Sequence, residues 1–395
     1  MKYVKLRHKI LFPLIKFAGI VFTKFKFNFK TKNKFKIGKD ESIVVLSNHQ
    51  TDCDPICLSL SFNKPIYFVA TDSLFVKSFS SWILNFLFAP IPKKKGALDI
   101  ASISKIFRTI NEGGSVGLFV EGNRSYAEFQ YYIGVETIKL LKQLKKKIVI
   151  YNIHGGFGVS PRFSNKKRKG NMYGEIKRVL PYEEYKDIDN EKLLDLIKND
   201  LKVFDSESNE KFISNKRAEY LERMLFVCPK CGKIETLESN GNFIECKNCG
   251  LKVEYTEDLK LISNDKDFKF NILNDWYQFQ KNFVKKYKIT NNVQILNDID
   301  VKIYTANAHE KRLLIDEGEM DLSDKYLSIN KTQIPLSEIN SASPVSGIKL
   351  SFSTEKNNYL IIGNKKFNAL KYVLFFNKLD TYMKEHKIDN YYNLE

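Results

Sequence analysis

Apolar and polar positions change their spacing along this chain, and each change marks an element. Residues 10–22 are apolar apart from Lys16, whereas residues 24–38 set Phe and Ile against Lys and Asn. That period of two predicts a strand with one buried face, opening as a hairpin. Ile43-Val44-Val45-Leu46 is an unbroken apolar run, which reads as a strand buried on both faces. Asp54-Pro55 follows as an N-cap with proline at the first helical position, starting a helix through Leu60. Strands are expected at 66–70, 116–120, 147–153 and 175–180, alternating with helices at 100–111, 138–147 and 191–204. Strands alternating with helices predict an α/β fold, a sheet flanked by helices.

A polar stretch at 205–220 reads as linker or helix. Beyond it lie a cysteine-bearing segment and an aromatic, basic helix expected over 276–288. Short alternating runs at 293–303, 312–315, 318–322, 326–329, 349–353 and 359–362 predict a β-rich C-terminal domain, a small barrel or sandwich, closed by a helix over 367–384. The expected division is 1–205, a linker at 206–225, a metal-binding module at 226–255, a connecting helix region at 256–290 and the β-rich domain at 291–395. Several domains also suit a length of 395 residues, at about 100 to 200 residues per domain.

Composition adds a sign of charge. Lys and Arg number 64 against 46 acids, leaving +18, which favours anionic partners such as phospholipid headgroups, nucleic acid or a phosphorylated substrate. Abundant Lys, Asn, Ile, Phe and Tyr would also follow from AT-rich coding, whatever the function. The apolar fraction of 43% excludes wholesale disorder. No apolar run reaches the roughly 18 residues of a spanning helix. The two longest stretches are 10–22 and 79–92. The first follows Lys2, Lys5, Arg7 and Lys9 but leads into Lys24-Phe25-Lys26-Phe27 rather than a small-residue cleavage site, so it is not a signal peptide. An interfacial anchor and an amphipathic helix packed on the domain both fit.

Candidate chemistry concentrates in two strings, Asn48-His49-Gln50-Thr51-Asp52-Cys53-Asp54 and Glu121-Gly122-Asn123-Arg124-Ser125. Each directly follows a predicted strand, and in α/β sheets ligands gather beyond the carboxyl ends of strands. His49 with Asp54 is general-base equipment: the carboxylate fixes the tautomer and stabilises the imidazolium formed when the ring takes a proton. Read alone, the pair fits a loop histidine beside a helix cap equally well. Cys53 is a poor nucleophile, because Asp52 and Asp54 raise its pKa. Arg124 offers paired donors that match phosphate oxygens, and Gly122 lets backbone approach a ligand. Glu121 is expected to orient Arg124 or a ligand hydroxyl. Read alone, this string fits a surface loop with a local ion pair.

Taken together, the strings resemble the glycerolipid acyltransferase family, whose members include enzymes acylating lysophosphatidic acid. The first follows the family's N-H-Q-S-x-x-D with Thr51 in place of serine. Phe119 to Ser125 keeps five of the seven residues of F-P-E-G-T-R-S, departing at Val120 and Asn123. A looser second motif lies at Ala89 to Lys95, where Lys93 or Lys94 stands for the usual arginine, and the fourth motif, at residues 148–155, lacks its proline. The resemblance covers about residues 1–205. It implies that His49, oriented by Asp54, deprotonates an acceptor hydroxyl, which attacks an acyl thioester on coenzyme A or acyl carrier protein. It further implies that Arg124, with Ser125 and Lys93 or Lys94, binds the acceptor phosphate in a pocket shaped by Glu121 and Gly122. Lysophosphatidic acid would thus become phosphatidic acid at the cytoplasmic face of the cell membrane, with the apolar stretches dipping into the phospholipid surface. The alternatives are acylation of glycerol-3-phosphate or another lysolipid, and a non-catalytic lipid-binding scaffold.

Cys228, Cys231, Cys246 and Cys249 form two C-x2-C pairs, each followed by glycine. This spacing resembles a zinc ribbon, and four thiolates without an open position imply structural Zn2+ in a reducing compartment. The segment 237–245 carries acidic residues and no basic stripe, so nucleic acid is an unfavoured partner. The last hundred residues resemble pleckstrin-homology-like domains, for which lipid headgroups, a protein partner or a purely structural barrel are all open.

Overall fold

The computed structural model describes residues 2–71, 86–93, 100–307, 310–345 and 347–385. The chain divides into two compact units, residues 1–161 with 168–212, and residues 162–167 with 213–395. The first is α/β and the second is rich in antiparallel strands.

The first unit holds helix α1 (Leu6–Phe27), strands β1 (Phe29–Thr31) and β2 (Ile43–Ser47), α2 (Asp54–Ser59), β3 (Ile66–Thr71), β4 (Ile91–Lys93), α3 (Ile100–Asn111), β5 (Ser115–Phe119), α4 (Val135–Leu144), β6 (Lys147–His154), β7 (Met172–Leu180) and α5 (Asn190–Leu201). Its seven-stranded sheet runs β1-β7-β6-β2-β5-β3-β4. Neighbours are parallel except β6 and β7. The central strands are apolar without alternation because both faces are covered. Val44, Leu46, Val116, Leu118, Ile148 and Ile150 pack into one core with side chains of α3, α4 and α5. On the opposite face of the sheet Tyr151 is buried, its hydroxyl 2.9 Å from Ser61 Oγ.

Two expectations change here. No hairpin forms over 24–38: α1 continues to Phe27, where Asn28 takes a left-handed conformation, and the short β1 pairs in parallel with β7. Phe27 and Phe29 are both buried, so the period-two pattern is real at two positions but spans a helix end and a strand start. Residues 206–225 are also not a polar linker. Phe212, Ala218, Leu221, Met224 and Leu225 are fully buried there.

The second unit joins a ribbon of four antiparallel strands, β8 (Leu237–Asn240), β9 (Phe243–Cys246), β10 (Lys252–Tyr255) and β11 (Leu261–Ile262), to α6 (Leu273–Lys286) and a seven-stranded sheet. That sheet contains β12 (Leu296–Thr305), β13 (Leu314–Leu322), β14 (Tyr326–Ile329), β15 (Thr332–Pro335), β16 (Ser341–Pro344), β17 (Lys349–Ser353) and β18 (Asn358–Ile362). Its order, β15-β14-β13-β12-β18-β17-β16, joins two antiparallel meanders by pairing the first strand with the last. The terminal helix α7 (Ala369–Glu385) buries Tyr372, Phe375, Phe376 and Leu379 in the same core as Phe226 and Val227, which precede the first cysteine. Lys371 is nearly buried between Glu235 of the ribbon and Asp298 of β12. The ribbon, α6 and the β-rich domain therefore share one interior rather than standing apart.

Candidate active site

β2 and β5 are adjacent and parallel, with Ser47 opposite Phe119. His49 and Glu121 each lie two residues past their strand, so both strings leave the same edge of the sheet side by side. They are also tied directly, since the Ser125 backbone N–H donates to the His49 carbonyl at 3.0 Å. Asn48 anchors the first loop to β6, donating to the Ile153 carbonyl (2.9 Å) and accepting from its N–H (2.8 Å). Gln50 accepts from Gly156 N–H at 2.9 Å.

Within that frame His49 Nδ1 lies 2.8 Å from Asp54 Oδ2, and the ring stacks on Phe119 with centroids 4.3 Å apart. Asp54 is wholly buried. The same Oδ2 accepts from the backbone N–H of Gln50 (2.6 Å) and Thr51 (2.9 Å), while Oδ1 accepts from Thr51 Oγ1 (2.5 Å). Full pairing of this kind makes a buried carboxylate tolerable. With Nδ1 donating to Asp54, the neutral imidazole carries its lone pair on Nε2, the nitrogen left for the cleft. Asp54 is not an N-cap: it is the first residue of α2, whose start has no side-chain cap, and its carboxylate turns back to the preceding loop. Thr51, which stands where the resembled motif has serine, has its hydroxyl on Asp54.

The second string bends at Gly122, whose φ of +68° favours glycine. Arg124 lies just beyond, and its Nη1 is 2.9 Å from Asp52 Oδ1. Glu121 does not pair with Arg124. It is buried and accepts from Tyr131 N–H at 3.1 Å, while Ser125 Oγ donates to the Phe129 carbonyl at 3.2 Å. Lys93 ends β4, two strands from β5 across β3, about 10 Å at ordinary strand spacing. Lys94 lies outside the described residues, as does the first half of the apolar stretch at 79–92, residues 79–85. Cys53 is buried with its sulfur 3.3 Å from Lys26 Nζ, and burial pushes its thiol up.

The cleft is lined by His49, Glu121, Ser125, Gln130, Lys202 and Phe204, among others. Lys202 follows an acidic helix and nothing in the sequence marks it. Asp52 falls between His49 and Asp54 and is not singled out by the sequence. Two further buried acids support the floor: Asp205 accepts from Gly155 N–H (2.7 Å) and Gly158 N–H (3.1 Å), and Glu128 accepts from Ser206 N–H (3.0 Å). Burial raises both pKa values, with repulsion from Asp205 adding at Glu128. These pairings span long stretches of chain, so no local pattern announces them. An open hollow lined by Lys39, Glu41, Lys145 and Lys147 lies at the opposite edge, by the amino ends of β2 and β6.

Burial pushes the Glu121 carboxyl up to about 7. Because the unfolded carboxyl ionises near 4.5, the native state binds more protons between these values, and stability falls as pH rises through that window. The loss is about 3 kcal/mol by pH 8. Glu121→Gln should remove that slope, matching the wild type near pH 4.5 and exceeding it above pH 7. Urea unfolding of both proteins across this range checks the sign, and parallel curves would refute it.

In the second unit the sulfurs of Cys228, Cys231, Cys246 and Cys249 lie within 4.8 Å of one another, a set that can hold a metal ion. The two knuckles have the same turn. Gly232 N–H donates to Cys228 O and Gly250 N–H to Cys246 O, each at 2.9 Å, with both glycines at positive φ.

Residues 28–151 match the family model described as Acyltransferase. No curated protein matches the chain. Among solved structures, the chain is similar to the 1-acyl-sn-glycerophosphate (LPA) acyltransferase PlsC from Thermotoga maritima, at 15% identity and a TM-score of 0.42, over 48% of this chain and 76% of that one.

Proposed function

We propose that the protein moves a fatty acyl group from a thioester of coenzyme A or acyl carrier protein to the free hydroxyl of lysophosphatidic acid, giving phosphatidic acid, a reading supported by the match of residues 28–151 to the Acyltransferase family model. One observation carries this reading: the Ser125 to His49 hydrogen bond holds a general base and an arginine-bearing loop against one cleft. An acceptor with a hydroxyl near its phosphate would address both.

The acceptor O–H gives its proton to His49 Nε2 as its oxygen attacks the thioester carbonyl. Asp54 stabilises the imidazolium that results. Collapse forms the ester and breaks the C–S bond, and the departing sulfur takes the proton from His49. Arg124, Ser125 and Lys202 face the phosphate, with Lys93 or Lys94 assisting. Charge-assisted hydrogen bonds contribute about 1.5 to 3 kcal/mol each. Arg124→Ala should therefore raise the acceptor KM about tenfold or more while the donor KM holds. Steady-state kinetics with each substrate varied decide this, and an unchanged acceptor KM removes Arg124 from the site.

The site works at a membrane surface on this reading, since acceptor and product are lipids. No helix of the described residues is long and apolar enough to cross a membrane. α1 instead buries His8, Phe12, Gly19, Thr23 and Phe27 and exposes Leu6, Ile10, Leu14, Phe17 and Phe25. An outward apolar face bordered by lysines is suited to an interfacial position. An apolar hollow lined by Phe12, Ile15, Ile56, Leu60 and Leu87 lies between α1 and α2 and offers a lining for an acyl chain. A site at the cytoplasmic face of the membrane is supported by the four cysteines, which stay available as thiolate ligands in a reducing compartment.

For the ribbon the fitting metal is zinc. Zn–S bonds of about 2.3 Å arranged tetrahedrally set sulfurs about 3.8 Å apart, against 3.6 Å for Cys228 to Cys249 and 3.8 Å for Cys231 to Cys246. Four thiolates leave no open position, so the metal's role is structural.

A further inference from the structure

Arg124 and Asp52 share an ion pair whose halves sit very differently. The arginine side chain is 14% exposed and the aspartate 79%. Among the described residues Arg124 is the ion-pair partner of Asp52, and Asp52 makes no side-chain hydrogen bond to its own loop. Asp54, two residues on, is held by four donors. One carboxylate of this loop is built in, and the other is tethered only by the arginine.

We infer that Asp52 is the exchangeable counter-ion of Arg124, occupying the guanidinium until the acceptor's phosphate displaces it, and that Asp52 thereby sets how tightly the site holds its acceptor. The inference rests on the role given to Arg124 in the function proposed above. A guanidinium largely withdrawn from water is stabilised by an anion beside it, and Asp52 supplies one. Asp52 holds the guanidinium through the one Nη1 to Oδ1 contact, and a phosphate can present oxygens to the same donors, so the two anions compete for it. Exchange is easy on the aspartate side, because an exposed carboxylate returns to water with little loss. Phosphate brings more charge and more acceptor oxygens, and it repels an aspartate that stays beside it. Acceptor binding is then an anion exchange, with the affinity lowered by what Asp52 held.

The test uses inorganic phosphate and the full-length, metal-loaded chain, with calorimetric titration of wild type, Asp52→Asn, Arg124→Ala and the double variant. Asp52→Asn should bind phosphate about fivefold more tightly, the upper end of what an ion pair with one exposed partner holds back. The gain should vanish when Arg124 is alanine. Unchanged or weaker binding by Asp52→Asn with native circular dichroism overturns the inference. So does a gain that persists without Arg124, or phosphate binding undetected in every variant. None of these readings involves acyl transfer. A tighter Asp52→Asn in a protein that acylates nothing would therefore sink the proposed reaction and leave the exchange standing.

Discussion

His49→Ala lowers acyl transfer by about 10²- to 10⁴-fold, the contribution of a positioned general base, with the fold intact. His49 is partly exposed, and its loss leaves Asp54 with three of its four donors, so the variant isolates chemistry from stability. Circular dichroism and thermal unfolding should overlay the wild type while turnover collapses. Asp54→Ala is a poorer test of mechanism, because it strips the acceptor from two loop amides and the Thr51 hydroxyl and so destabilises the loop as well. Asp54→Asn is better. Its amide oxygen at the Oδ2 place still accepts from His49 Nδ1 and the two loop amides, so the loop and the tautomer hold while the charge that stabilises the imidazolium is gone, and turnover should fall with the fold intact. Wild-type turnover surviving in His49→Ala would contradict a base role for this ring.

Chelation of the zinc proposed for the ribbon should unfold the second unit. Structural zinc in zinc-finger peptides binds with about 10 to 16 kcal/mol, comparable to the roughly 5 to 15 kcal/mol that stabilises a whole domain. The loss would not stay local, because Phe226 and Val227, next to Cys228, belong to the core built by β12, β13, β14 and α7. Trp276 reports it: the side chain is fully buried and its Nε1 donates to the Val227 carbonyl at 2.9 Å. In a Trp82→Phe background, chelation or Cys246→Ser should shift the emission to the red and abolish the second unit's cooperative transition. Unchanged emission after complete chelation would mean that the cysteines hold nothing structural.

The strands carrying the site were legible because β2, β5 and β6 are buried on both faces and read as apolar runs, within a residue or so of their ends. His49, Asp54 and Arg124 were legible from their types and their places after strands. Their partners were not. Asp54 reads as a cap because Asp-Pro commonly opens helices, and only the fold shows its carboxylate turned back to Gln50 and Thr51. Glu121 sits three residues from Arg124, a spacing that suggests an ion pair, yet burial sends its carboxylate to Tyr131. Asp52 took the arginine instead. The end of α1 was misread because Phe25, Phe27 and Phe29 alternate, although Phe25 is 88% exposed on the helix. Lys202 and Glu128 reach the cleft only through long-range folding.

The central claim is acyl transfer to lysophosphatidic acid through His49, and the direct test incubates the purified, metal-loaded protein with liposomes containing labelled lysophosphatidic acid and either acyl-coenzyme A or acyl carrier protein. Labelled phosphatidic acid should form with the wild type and fall at least a hundredfold with His49→Ala. A folded wild-type protein that yields no product with either donor, or equal product from both proteins, would contradict it.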